Sequence, residues 1–180
     1  SIPSNIKTIS SYAFECSEIK EIFIPPNVSR ICKYAFSDCK NLRKVKISTD
    51  SILQTIESNT FSYSEIEEIF IPSNVSKICE SAFTYCMNLR KVEIPINSNL
   101  KTIESYAFYY SGVKDITIPP KVSKIYESAF ESCRKLQILE ISEETELTSD
   151  FPFSAFYKSR RLIIMIPSSL GKLICLNKHI

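Results

Sequence analysis

The 180-residue sequence predicts an α/β-type repeat solenoid of about seven units, 22–26 residues each, arranged as 47-residue pairs. Three observations carry that prediction. Phenylalanines recur at 14, 36, 61, 83, 108, 130 and 156, in steps of 22, 25, 22, 25, 22 and 26. Every unit carries an apolar run: "IKEIFI", "LRKVKI", "IEEIFI", "LRKVEI", "VKDITI" and "LQILEI", with a degenerate seventh ending at Ile166-Pro167. A unit of some 23 residues cannot bury its own apolar face, whereas stacked units can.

The elements follow in order along each unit. The last apolar positions of each run alternate, the period of a half-buried strand, so the stack builds one continuous parallel sheet. Pro25, Pro72, Pro95, Pro119 and Pro167 end these strands, because proline has no N–H to donate. Next comes a turn: "NVS" at 27–29 and 74–76 matches the N-x-S glycosylation acceptor, but the third copy has Lys121, and Asn also suits a turn. Ile9, Ile31, Ile56, Ile78, Ile103 and Ile125 hold one slot five residues before each Phe. These isoleucines, the Ala-Phe column and the strand Ile, Val and Leu residues are the expected core. The array spans 1–167, and 168–180 is a degenerate eighth unit or C-terminal cap, with Asn177 and Lys178 where Ala-Phe should stand. "SIPSNI" reads as the end of a strand from a preceding unit, so further repeats upstream are expected.

Composition narrows the function. The formal net charge is +2 and the pI about 8.1, which argues against a nucleic-acid partner. Only Gly112 and Gly171 are present, too few for a Gly-rich phosphate loop. No apolar run reaches membrane-spanning length, so this segment is not expected to insert, and the N-terminus shows no signal-peptide pattern. His179 is the lone imidazole, which leaves the cysteines without a base for nucleophilic catalysis. The acidic pairs Glu67-Glu68 and Glu143-Glu144 read as solvated. No catalytic residue, cofactor or metal is expected.

The seven cysteines are the remaining chemistry. Cys32 and Cys79 share a slot that Tyr126 occupies in the third copy, and a column that accepts Tyr is not a set of zinc ligands. Counted back from the strands, a second column reads Cys16, Cys39, Tyr63, Cys86, Tyr110, Cys133. Cysteines two rungs apart are about 10 Å apart, too far for a disulfide. Only Cys16 and Cys39 are rung neighbours that could pair. Buried free thiols are the main reading.

The pattern C-x-x-L-x-x-I-x-I-P…V-x-x-I-x-x-x-A-F resembles the repeat of the BspA-like leucine-rich-repeat family, over residues 2 to about 167. The resemblance implies a right-handed curved coil with its parallel sheet on the concave side, and no catalytic residues. It further implies a surface protein that attaches to host-cell or extracellular-matrix proteins, hence a cell-surface or secreted location. The alternative is an intracellular scaffold for protein–protein contacts, which free cysteines and the missing signal peptide favour.

On such a face, one outward column reads Glu21, Lys44, Glu68, Lys91, Asp115, Ile138, with opposite charges on adjacent rungs. Such a ladder serves to hold strand register. The next reads Phe23, Lys46, Phe70, Glu93, Thr117, Glu140. Phe23 and Phe70 flank Lys46, with Arg43, Arg90 and Glu93 beside them, and these six are the candidate protein-binding residues. Farther along, Ile138, Leu162, Ile163 and Met165 are expected to leave the surface apolar.

Overall fold

The structure is a computed structural model that describes residues 2–142, 145, 153–159, 162–165 and 174–176. Its strands are β1 (Thr8–Ile9), β2 (Glu21–Ile24), β3 (Arg30–Ile31), β4 (Lys44–Ile47), β5 (Thr55–Ile56), β6 (Glu68–Phe70) and β7 (Lys77–Ile78). There follow β8 (Lys91–Glu93), β9 (Thr102–Ile103), β10 (Asp115–Ile118), β11 (Lys124–Ile125), β12 (Ile138–Ile141), β13 (Leu162–Met165) and β14 (Ile174–Leu176). The even-numbered strands β2 to β12, together with β13 and β14, form one long sheet. All its neighbours run parallel except β14, which pairs antiparallel with β13. The short strands line the opposite wall of each turn as β1–β3 and β5–β7–β9–β11. The chain is thus a leucine-rich-repeat coil, wound so that each unit contributes one rung to each wall.

Alternation does what the period-two pattern predicts. In β2, β4 and β12 the first and third residues are exposed and the second and fourth buried. The inward Ile22, Val45, Ile69, Val92, Ile116, Leu139 and Ile164 line up across the sheet. The isoleucine slot is buried throughout, from Ile9 to Ile125. Between the walls runs a spine of phenylalanine: each ring stacks on the next with centroids 5.0–5.5 Å apart and planes within 8°. Each Phe N–H from Phe14 to Phe130 also donates to a carbonyl one unit on, such as Phe83 N to Ala107 O at 2.7 Å. Rung spacing and ring stacking are therefore set by the same backbone ladder.

An α/β coil returns through helices; here the return is made of turns, and the one helical element among the described residues is the 3-10 turn Phe153–Phe156. The reason is in the backbone. The residue two after each of the seven phenylalanines has φ of 54–59°, and the residue two before each of the first six has φ of 56–62°. A right-handed helix cannot continue through such residues. Eleven of these thirteen amides instead bond across rungs, as Asp38 N does to Ser62 O at 2.8 Å and Tyr85 N to Tyr109 O at 2.8 Å. None of these positions is glycine, and six are tyrosine.

These turns also realign the cysteines. Counting from the phenylalanines, as the coil does, puts Cys16 with Asp38, Tyr63, Tyr85, Tyr110 and Ser132, all at left-handed positions. Cys16 is exposed there and unpaired. The neighbour of Cys39 is Ser17, and the true column alternates: Ser17, Cys39, Ser64, Cys86, Ser111, Cys133, Ser159. The offset arises because cysteine-bearing turns hold one extra residue between the Phe and the strand run, as in Phe36 to Leu42 against Phe61 to Ile66. That residue is absorbed by an added turn, closed by Leu42 N to Cys39 O, Leu89 N to Cys86 O and Leu136 N to Cys133 O at 3.0–3.2 Å.

Leu162 is not on the outer face. It is buried, whereas Ile163 and Met165 are exposed as expected, because Ile163 pairs with Ile138 and residues next to each other on a strand face opposite sides. Ile174–Leu176 aside, the eighth unit or cap expected for 168–180 lies outside the described residues, as do Glu143, Glu144 and His179.

Candidate functional site

Strand register places the outward columns of the long sheet. Glu21 stands beside Lys44, Lys44 beside Glu68, Glu68 beside Lys91, Lys91 beside Asp115, and Asp115 beside Ile138. The side chains do not close this ladder directly. Lys91 Nζ turns along its own strand and donates to Glu93 Oε2 at 3.0 Å, and this hydrogen bond raises the Lys91 pKa above its ordinary value. Both partners are largely exposed, where such pairs contribute little.

In the second column Phe23 stands beside Lys46 and Phe70 beside Glu93. Phe23 is 48% exposed and Phe70 half-buried, so the two rings share a surface but not equal access to it. Lys46, Glu93, Arg43 and Arg90 are exposed. Arg43 reaches away from the rings, its Nη1 3.3 Å from Glu65 Oε2, and Asn88 donates to the same carboxylate. Pairing is uneven. β2/β4 and β10/β12 hold register over four residues and β6/β8 over three, but β4/β6 and β8/β10 hold it only at Lys44–Glu68 and Lys91–Asp115. A shallow pocket of about 220 Å³ opens beside these positions, between Arg43, Lys44, Glu67, Glu68, Arg90 and Lys91. Beyond it the outer face turns apolar, with Ile138, Ile163 and Met165 each 39–45% exposed.

Two other surfaces escaped the sequence reading. One is a groove of about 680 Å³ on the far side of the proline turns, lined by Ile52, Gln54, Asn74, Ser76, Asn99, Lys101 and Lys121. Asn74 gives its side-chain amide to Ser51 O at 2.8 Å, as Asn27 does to Ile6 O at 2.6 Å, so the "NVS" asparagines act as rung-to-rung donors. The other is a tyrosine stack on the turns: Tyr63, Tyr85 and Tyr110 pile at 4.8 and 5.1 Å, and Lys40 and Arg134 lie 5.4 Å over the outer rings. The signal was present in "YAFYYSG" and "FTYC", but it becomes a surface only once the left-handed turns bring alternate residues together.

The buried thiols are unsuited to catalysis. Cys39, Cys86 and Cys133 donate to the carbonyls of Phe14, Phe61 and Phe108 at 2.9–3.0 Å. Burial pushes Cys86 and Cys133 up to about 12 and Cys79 to about 11, so these groups remain thiols rather than nucleophilic thiolates at neutral pH. Among the described residues, no three or more His, Cys, Asp or Glu side chains stand together as metal ligands.

The model of the BspA-type leucine-rich-repeat region matches six copies over residues 1–90 and 54–174. Solved structures share the fold: the pneumococcal vaccine antigen PcpA (20% identity, TM-score 0.55) and a leucine-rich cell-surface protein of Faecalibacterium prausnitzii (21%, 0.56). The leucine-rich-repeat protein TpLRR of T. pallidum is similar as well (19%, 0.57). Each alignment covers 91% of this chain and, in that order, 57%, 52% and 66% of the other, so this chain spans about half to two thirds of their length. No curated protein matches.

Proposed function

The chain belongs to the BspA-type leucine-rich-repeat family, and we propose that it is a cell-surface adhesin or antigen segment that contacts host or matrix proteins through its long sheet. The coil is a repeat module for protein interaction, of a family whose members are typically non-catalytic binding modules. The observation that carries the contact is the pair of partly exposed rings, Phe23 and Phe70, on the stretch from β2 to β8 whose other outward strand residues are all charged. Aromatic groups within a polar rim are the usual make-up of an interface centre. Lys46 sits between the rings, with Glu93, Arg43 and Arg90 in the rim.

The test is the double substitution Phe23→Ser with Phe70→Ser. Binding of the folded variant to immobilised host-cell or matrix proteins should fall at least about tenfold, as removal of two interface anchors does. Binding equal to that of the parent chain rejects the reading. An intracellular scaffold is the second reading, supported by unpaired Cys16, Cys32, Cys39, Cys79, Cys86 and Cys133. Localisation of the full-length product separates the two.

A further inference from the structure

We propose that the partner presents a proline-rich segment in the polyproline-II conformation, laid across the strands with its axis along the coil. This names the ligand class for the surface proposed above and rests on that reading. The argument begins with what a sheet face can offer. Within the sheet, β4 to β13 each have a strand on both sides, and the backbone N–H and C=O groups of a sheet lie in its plane rather than facing out of it. A ligand lying on the face therefore gains no backbone ladder, only side-chain contacts. Such a ligand loses least if it arrives already extended and rigid, with its own backbone solvated, and polyproline II meets that description.

The pitch of the face agrees. Phe23 pairs with Lys46, and Phe70 stands two residues past Glu68, the partner of Lys44, so by register the rings lie two rungs apart, about 9.6 Å at the usual strand spacing. A polyproline-II chain repeats a side-chain direction every three residues, about 9.3 Å. Prolines at i and i+3 therefore land on the two rings. An extended β-strand repeats about every 6.8 Å and falls between them. The charged column has the same two-rung period: Glu21, Glu68 and Asp115 alternate with Lys44 and Lys91. Over four rungs polyproline II departs from the sheet by about 0.6 Å. An α-helix read at i, i+7 and i+14 departs by about 1.8 Å.

The charge of the face completes the case. Side chains two apart on one strand stand about 6.8 Å from each other, so the charged and aromatic columns run side by side along the coil. Between the rings, at the rung of β4, stands Lys46, exposed and without a salt bridge among the described residues. It selects an acidic residue between the two prolines. Glu93, already bonded to Lys91, exerts no matching selection for a base.

The probe is a fluorescein-labelled peptide of four Pro-Pro-Glu triplets, titrated with the full chain and read by fluorescence anisotropy. Saturable binding is expected, at least about tenfold weaker for Phe70→Ser. Lys46→Glu should reverse the charge preference, so that this variant takes the Pro-Pro-Lys peptide over the Pro-Pro-Glu one. Circular dichroism melts confirm that both variants fold. Equal binding of a Gly-Ser-Glu peptide of the same length and charge overturns the proposal, as does absence of binding or indifference to Lys46→Glu. If the peptide fails while Phe23→Ser with Phe70→Ser still lowers matrix binding, the polyproline assignment alone falls. If matrix binding is also unchanged, the surface itself is wrong.

Discussion

The spine and the outer face of the long sheet repeat at the same pitch, yet they treat their residues in opposite ways. The spine is Phe at all seven positions, each ring within 5.0–5.5 Å of its neighbour. The second outward column reads Phe, Lys, Phe, Glu, Thr, Glu, Met. Inside, each backbone rung fixes the space available and only one flat ring fills it. Outside, packing imposes almost nothing, so the residues are free to carry recognition. A solenoid of this kind separates stability from binding by direction, not by region of the chain.

The largest expected effect breaks the spine. Phe83 is fully buried between Phe61 and Phe108, and Phe83→Ala should cost about 3–5 kcal/mol in a urea melt. Phe23→Ser, on the outer face, should stay within about 0.5 kcal/mol of the parent chain if the comparison holds. Equal losses at the two sites would erase the distinction.

Next in size is Gly112, where the backbones of two units meet. A Cβ built on it would lie 2.1 Å from Met87 O, while its own N–H donates to Cys86 O at 3.0 Å. Backbone cannot yield as a flexible side chain does, so Gly112→Ala should cost about 1–3 kcal/mol by the same melt. An unchanged midpoint would mean that the units are less tightly joined at the turns than along the spine.

The smallest effect concerns the Ser/Cys column, which belongs to the interior yet tolerates two residues. Cys86→Ser keeps a donor to Phe61 O and copies what Ser159 does to Phe130 O at 2.7 Å, so it should be milder than Cys86→Ala. The pH dependence has a definite sign. The folded pKa of Cys86 is about 12, above its reference value of 9.0, so the unfolded chain loses the proton first. The stability associated with the protonated thiol is complete below about pH 9 and is lost as pH rises toward about 12. A urea titration from neutral pH to pH 10.5 should show a shallower decline for Cys86→Ser than for the parent chain. Identical slopes would indicate that the thiol is not sealed from water.

Much of this could be read from residues alone. The Phe period, the isoleucine slot and the alternation in "KVKI" and "ILEI" gave core, sheet and register, because burial of an apolar face demands a matching period. The candidate surface was legible only as a column order. How far Phe70 is shaded, that Arg43 is drawn to Glu65, and that β4/β6 holds register at a single pair all depend on neighbours far away in sequence.

The residues alone settle the repeat, its core and, Leu162 apart, which strand side chains face outward, since those follow from periodicity and from the inability of one unit to bury itself. Tertiary structure alone decided the return path. Left-handed turns at Tyr, Ser, Asn, Asp, Cys and Lys carry no composition signal of the kind glycine gives. Eleven of the thirteen amides at these turns, those of Tyr106 and Lys158 apart, find a carbonyl on the adjacent rung, a partner that exists only after the rungs have stacked. That is also why Cys16, aligned with Cys39 by its distance to the strand, stands exposed beside a column to which Ser17 belongs.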